Sequence, residues 1–140
     1  FTLPEPLILG EATRVMSLRD GKKKMSKSDE SDYSRINLTD DADTIALKFR
    51  KAKSDMVAGI SWDPENRPEA ANLLTMYAAF RNISRDAALK ECDGRNFSAF
   101  KQMLTDAAVE HLSPITTKMR ELLNDTPYLD DVLKQGAQKA

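Results

Sequence analysis

Cysteine is nearly absent from this 140-residue sequence, which limits both its redox chemistry and its metal chemistry. The single Cys92 allows no disulfide within the chain and no zinc site built from several cysteines. His111 is the only histidine. We therefore expect no protein-bound metal, and cysteine usage of this kind favours a reducing, cytoplasmic compartment.

Long apolar runs and an excess of one charge sign are missing as well. No run approaches the roughly 20 apolar residues that span a bilayer, and no charged-then-apolar export signal begins the sequence. There are 21 Lys and Arg residues against 22 Asp and Glu residues, giving a net charge of -1. This balance argues against a surface that binds nucleic acid throughout, but it allows a local basic patch.

Helical spacing of apolar residues dominates the sequence from Thr39 onward, so we expect a mainly α-helical bundle. About five helices are predicted: one with Thr39 as its N-cap, one from Pro68 to about Asn82, one capped by Ser84 and ended by Gly94, a long one from Phe97 with Pro114 inside or just after it, and one with Thr126 as its N-cap and Pro127 as its first residue.

The stretch from Leu3 to Leu18 has a different character. Two prolines precede the apolar run Leu7-Ile8-Leu9, and apolar and polar residues alternate from Thr13 to Ser17. We predict one or two short strands here. They are too few to form a stable sheet alone, so they would need a larger sheet to pair with.

The segment 21–32, called the lysine loop below, has no periodicity that could bury one face. It carries four lysines within six residues, followed at once by acids: Lys22, Lys23, Lys24 and Lys27, then Asp29, Glu30 and Asp32. A solvated linker would show the same charge run, and that interpretation is the more common one for an arbitrary lysine-rich hexamer.

The order of residues in the loop is more specific than its charge. When a polyphosphate is displaced at phosphorus, negative charge grows on the leaving oxygens, and the ammonium groups of Lys24 and Lys27 would stabilise it. The hydroxyl groups of Ser26 and Ser28 add hydrogen-bond donors, and consecutive backbone N–H groups in a tight loop can bind an anion. Met25 would pack inward and fix the direction of the loop.

Residues Lys24 to Ser28 have the sequence KMSKS, which resembles the signature of class I aminoacyl-tRNA synthetases. The flanking sequence resembles the tryptophanyl-tRNA synthetases in particular, in order and at similar spacing. The matching stretches are Ala12–Leu18, Asn37–Asp41, Asn72–Leu74, Phe100–Lys101 and Leu133–Ala137.

The resemblance implies an enzyme that activates L-tryptophan with ATP and Mg²⁺ and then transfers the tryptophanyl group to tRNA(Trp). It makes Lys24, Met25, Ser26, Lys27 and Ser28 the ATP-contacting loop, with Lys27 the main catalytic residue and Lys24 the second. Residues 1–38 would be the C-terminal edge of a Rossmann-type catalytic domain, including a strand remnant. Residues 39–140 would be the helical anticodon-binding domain, and the parent enzyme would be a homodimer.

The second signature of class I enzymes, HIGH, has no counterpart here, because the surroundings of His111 do not resemble it. We therefore expect a C-terminal portion of the enzyme that does not form the adenylate alone. Two alternatives remain open at this point: an autonomous helical tRNA-binding module and a portion of a tyrosyl-tRNA synthetase.

Other chemically active side chains have ordinary structural explanations. Trp62 is expected to pack rather than to stack on a base, and His111 to be a solvated or capping residue. Helix N-terminal placement explains Asp40, Asp41 and Asp43 without a divalent metal. For tRNA contact the first candidates are Arg81 and Arg85, since arginine is the better partner for base edges and phosphates. The wider set of candidates is Lys90, Arg95, Lys101, Lys118 and Arg120.

Overall fold

The computed structural model describes residues 1–7 and 12–140, and its regular structure is helical. Within these residues the helices are α1 (Ala42–Lys51), α2 (Pro68–Arg81), α3 (Arg85–Glu91), α4 (Phe97–Asn124) and α5 (Thr126–Lys139), preceded by a 3₁₀ turn at Asp32–Ser34. Helix α4 packs against α1, α2 and α5, while α2 also packs against α3. The predicted helical bundle is therefore confirmed, with α4 at its centre.

Local capping signals explain most of the helix boundaries. Pro68 is the first residue of α2, and the Ser84 hydroxyl accepts a hydrogen bond from the Ala87 N–H at the start of α3, both as predicted. Asn82 ends α2 with φ at 52°, a left-handed conformation that asparagine tolerates. Pro114 lies inside α4, so the two apolar runs around it form one helix.

Two predicted N-caps were wrong. Asp41 rather than Thr39 caps α1, because its carboxylate accepts the Thr44 N–H at 2.8 Å. Asp125 rather than Thr126 caps α5, accepting the Tyr128 N–H at 3.1 Å. In both cases an aspartate within two residues of the expected cap takes its place, and Thr126 becomes the first helical residue.

The hydrophobic core is assembled mainly from α1, α2 and α4, with one important contribution from before the helices. Phe49, Leu74, Phe100 and Leu104 are fully buried, and Leu18 is only 2% exposed in the same cluster. The N-terminal segment is therefore packed onto the helical core through Leu18.

The strands predicted within Leu3–Leu18 were wrong for the residues described. An isolated antiparallel bridge between Met16 and Lys24 is the extended pairing found in the described part of the chain. Ile8 and Leu9, which carried part of the prediction, lie outside the described residues. A strand requires a run of consecutive bridges, and a single isolated bridge does not make one. In the described ranges, no helix combines the length and apolar character needed to cross a membrane.

Candidate functional site

The lysine loop leaves the core as a paired segment. The Ser17 N–H donates to the Lys23 carbonyl at 2.8 Å, and the Met25 N–H donates to the Val15 carbonyl at 3.1 Å. These bonds flank the Met16–Lys24 bridge. The backbone of Lys24 is therefore held in place while its side chain is exposed to solvent.

Asn72 of α2 fixes this pairing to the helical core. Its side-chain oxygen accepts the Met16 N–H at 2.8 Å, and its side-chain nitrogen donates to the Met16 carbonyl at 2.9 Å. Asn72 is buried, so water competes poorly for these two bonds. This amide clamp joins residues that are far apart in sequence.

Gly21 lies tightly against the start of α2. A Cβ atom at this position would lie 2.5 Å from the carbonyl carbon of Pro68 and 2.6 Å from the nitrogen of Glu69. Both are backbone atoms of the first turn of α2, which cannot move aside as a flexible side chain could. Glycine is therefore required here for space.

The signature side chains are arranged in opposite directions. Met25 packs against the hydrophobic core, as expected from the sequence. Lys24 and Lys27 are exposed, and neither forms an ion pair with any residue among those described. Their neighbour Lys23 instead contacts the Asp29 carboxylate at 3.3 Å. Two ammonium groups of the signature are thus available to an anionic ligand.

The two serines of the signature form a tight turn. The Ser28 N–H donates to the Ser26 hydroxyl oxygen at 3.2 Å, and the Asp29 N–H donates to the Ser26 carbonyl at 3.3 Å. These two backbone donors are therefore used within the turn, which weakens the prediction that they form an anion-binding nest. The anion-binding capacity of the loop is concentrated in its lysines.

Charged residues hold the chain just after the signature. The Arg35 guanidinium donates to the Asp29 carbonyl at 2.9 Å and contacts the Asp32 carboxylate at 3.1 Å. The other carboxylate oxygen of Asp32 lies 2.7 Å from the ammonium group of Lys48, in α1. Hydrogen bonds from Lys48 first, and from Asn37 second, hold the pKa of Asp32 below its usual value.

Lys48 is a residue whose importance the sequence did not reveal. It is only 2% exposed, and its ammonium group lies 2.6 Å from Asp40 as well as 2.7 Å from Asp32. In the sequence it appears as one of several basic residues toward the end of α1, where the helix dipole would explain it. Only its position on the buried face of α1, together with Ile45 and Phe49, could have suggested burial.

The structure places the two arginines first considered for tRNA contact on either side of the α2–α3 turn. The guanidinium carbon of Arg85 lies 3.7 Å from the centre of the Trp62 ring, so the two side chains stack. Trp62 packs against the core, as predicted. Arg81 is exposed and lines a surface cleft with Phe80 and His111. A helix rises 1.5 Å per residue, so Arg81 lies roughly 14 Å along α2 from Asn72. The candidate tRNA contact at Arg81 is therefore separate from the KMSKS loop that Asn72 anchors.

Some of the wider basic candidates have structural partners instead. Lys101 donates to the Ala52 carbonyl at 2.6 Å and thereby stabilises the end of α1, and burial lowers its pKa. Arg120 donates to the Thr39 carbonyl at 2.9 Å. Lys118 pairs with Glu121 one helical turn away at 3.1 Å. Their positive charges are therefore partly engaged within the chain.

Comparison with known sequences decides the family. Residues 1–113 match the family described as class I tRNA synthetases (W and Y). The chain belongs to this family. The family resemblance inferred from the KMSKS signature and its flanks is thereby confirmed.

Relatives in this synthetase family match the chain along its entire length. It is 56% identical to the tryptophan–tRNA ligase of Rhizobium meliloti (strain 1021) over 142 residues, and 53% identical to that of Mesorhizobium japonicum over 146 residues. Each alignment covers 100% of this chain and 40% of the relative, so the chain spans about two-fifths of the length of these curated proteins.

A solved structure of the same family supports the fold. The tryptophanyl-tRNA synthetase from Mycoplasma pneumoniae superposes with a TM-score of 0.66 at 26% sequence identity. The superposition covers 78% of this chain and 35% of that structure. The helical architecture described above is therefore an architecture that occurs within this synthetase family.

Proposed function

We propose that this chain forms part of a tryptophan–tRNA ligase, which uses ATP to activate L-tryptophan and transfers it to tRNA(Trp). The observation that carries the proposal is a loop with the KMSKS sequence that is anchored at its base and exposes two lysines. The relatives described above are named for tryptophan, which favours this amino acid over tyrosine.

In the proposed reaction a tryptophan carboxylate oxygen attacks the α-phosphorus of ATP. A new P–O bond forms, the bond between the α-phosphorus and the bridging oxygen breaks, and pyrophosphate leaves with the electron pair. The ammonium groups of Lys27 and Lys24 would stabilise the negative charge that grows on the leaving pyrophosphate. Met25, Ser26 and Ser28 would shape the loop that presents these two lysines to ATP.

The Mg²⁺ ion in this proposal would be held by the phosphate oxygens of ATP. Across the described residues, no group of three His, Cys, Asp or Glu side chains is placed to bind a metal ion. Mg²⁺ usually keeps several waters and binds through substrate phosphates, so such a group is not required. The ion would neutralise part of the phosphate charge, while the protein supplies the lysines.

The proposed division of labour follows the chain. Residues 1–38 would belong to the edge of a Rossmann-type catalytic domain that carries the KMSKS loop, and residues 39–140 would form the helical anticodon-binding domain. Arg81 and Arg85 remain the first candidates for tRNA contact, with Arg81 the more accessible of the two. We propose a homodimeric, cytoplasmic parent enzyme.

A hybrid enzyme tests the function directly. The aligned segment of the Rhizobium meliloti relative is replaced by this sequence, and tryptophan-dependent exchange of pyrophosphate into ATP is measured. We expect exchange activity, and we expect Lys27→Ala to lower its kcat by about 100- to 1,000-fold, the usual loss for one transition-state donor. Lys24→Ala should have a smaller effect.

The matched control is Lys22→Ala, which removes a lysine of the same run that lies outside the signature and is also exposed. Its activity should stay close to that of the unmodified hybrid. A folded hybrid without exchange activity would contradict the proposed function. Equal losses for Lys27→Ala and Lys22→Ala would show that the charge of the run matters, but not the signature position.

A further inference from the structure

We propose that Lys48 is a positioning residue for the KMSKS loop, acting through Asp32 and Arg35 on the residue that follows Ser28. This inference rests on the proposed function, since it concerns the same loop. Lys48 would touch no substrate. Its effect would be to fix the exit of the loop, and so the place from which Lys27 approaches ATP.

The first step of the argument is a continuous path of short contacts. The Lys48 ammonium group lies 2.7 Å from one oxygen of Asp32, and the other oxygen lies 3.1 Å from Arg35. Arg35 then donates to the Asp29 carbonyl at 2.9 Å. Asp29 directly follows Ser28, so three charged side chains connect α1 with the end of the signature.

The second step is burial. An ammonium group taken out of water is costly unless it is paired, and here both partners are aspartates at hydrogen-bond distance. Asp40 is itself largely buried and also accepts the Asn37 N–H at 2.8 Å. Lys48 is therefore rigidly held from the side of α1, which makes it a fixed point for the more exposed Asp32.

The third step is the contrast with the other end of the loop. Residues Val15 and Ser17 pair with the loop backbone, and Asn72 clamps Met16 between them. After Ser28 there is no comparable backbone ladder to the core before the 3₁₀ turn, within the described residues. The first backbone bond to the core after Ser28 is the one that the Leu18 N–H donates to the Ser34 carbonyl at 2.9 Å. The charged path from Lys48 holds the residues between Ser28 and that bond.

Positioning by Lys48 is tested with the hybrid enzyme described above. We expect Lys48→Met to lower the kcat of pyrophosphate exchange by about 10- to 100-fold, as small misplacements of a catalytic group do. The KM for tryptophan should stay unchanged. In a Lys27→Ala background the same substitution should cost little further, because the group that it positions is already absent.

A second readout follows the loop itself in the full chain. Trypsin cleaves after lysine, and the loop offers Lys22, Lys23, Lys24 and Lys27. Well below the melting temperature, Lys48→Met should speed cleavage in the loop while leaving cleavage at other sites unchanged. Lys51→Met is the matched control, because Lys51 lies on the same helix and contacts Tyr33 of the same 3₁₀ turn.

Two results would overturn the inference. One is that Lys48→Met lowers kcat by the same factor in the Lys27→Ala background as in the unmodified hybrid. Such independent effects would indicate a general loss of folded enzyme. The other is unchanged cleavage in the loop. If Lys48→Met does not fold, Asp32→Ala breaks the same path at a half-exposed residue and is judged by the same criteria.

The outcomes also separate this inference from the proposed function. Loss of exchange in Lys27→Ala, combined with normal exchange and normal cleavage in Lys48→Met, would remove only the positioning role. An inactive but folded hybrid would remove the proposed function, while faster cleavage of the Lys48→Met loop would still support the anchoring path.

Discussion

The tip and the base of the KMSKS loop contrast sharply although they are only a few residues apart. The tip, by which we mean the side chains of Lys24 and Lys27, is exposed and makes no ion pair within the described residues. At the base, Met16 is clamped by Asn72, and Gly21 touches the backbone of α2. The contrast indicates that stability resides in the base and the proposed chemistry in the tip.

Gly21→Ala should produce the largest loss of stability at the base. The new Cβ would lie 2.5 Å from a backbone atom of Pro68, so either the loop or the first turn of α2 must move. We expect the free energy of unfolding to fall by about 2 to 3 kcal/mol, in the range of overpacked sites. Urea denaturation measures the change.

Gly136→Ala is the control for this substitution. Gly136 lies inside α5, and a Cβ there would meet nothing within 4 Å. Helix propensity alone predicts that this variant gains about 0.5 to 1 kcal/mol. If both glycine variants behave alike, the close approach at Gly21 is not a constraint on the loop.

Asn72→Ala should have the next largest effect, because it removes both bonds of the clamp. The Met16 N–H and carbonyl would lose their partners in a partly buried site, which typically costs about 1 to 3 kcal/mol. Asn72→Asp keeps an acceptor for the N–H but places a buried carboxylate oxygen against the Met16 carbonyl, so a loss at least as large as that of Asn72→Ala is expected. Thermal and urea unfolding would both report it.

The tip supplies the control for the clamp. Lys24→Ala removes an exposed side chain that pairs with nothing in the described residues, so the stability should change little. A Lys24→Ala variant as unstable as Asn72→Ala would contradict the distinction between the tip and the base.

The parts of this arrangement that sequence could predict are those set by local pattern. The KMSKS signature, the apolar spacing of the helices and the inward direction of Met25 all follow from neighbours within a few residues. The cap at Ser84 and the proline that begins α2 are local in the same sense. These local features are sufficient to predict the helical bundle and the candidate site.

The remaining parts depend on contacts between distant segments. Asn72 and Met16 are 56 positions apart, and nothing in the polar side chain of Asn72 distinguishes it from a surface residue. Lys48 resembles its basic neighbours until α1 is packed, when its ammonium group becomes buried between Asp32 and Asp40. The strands failed for the same reason, because pairing partners are not a local property.

The pH dependence of stability gives the smallest and most specific test of the base. In the folded chain Lys48 and Asn37 lower the pKa of Asp32 from its usual 3.8. Protons therefore bind the unfolded chain more readily, so the stabilising contribution is complete above pH 3.8 and is lost as the pH falls through the lowered pKa. Stability measured from pH 6 to pH 3 should fall less steeply in Asp32→Asn than in the unmodified chain. Lys27→Ala, a change at the tip, should keep the unmodified slope, and equal slopes in all three proteins would show that Asp32 is not coupled to Lys48.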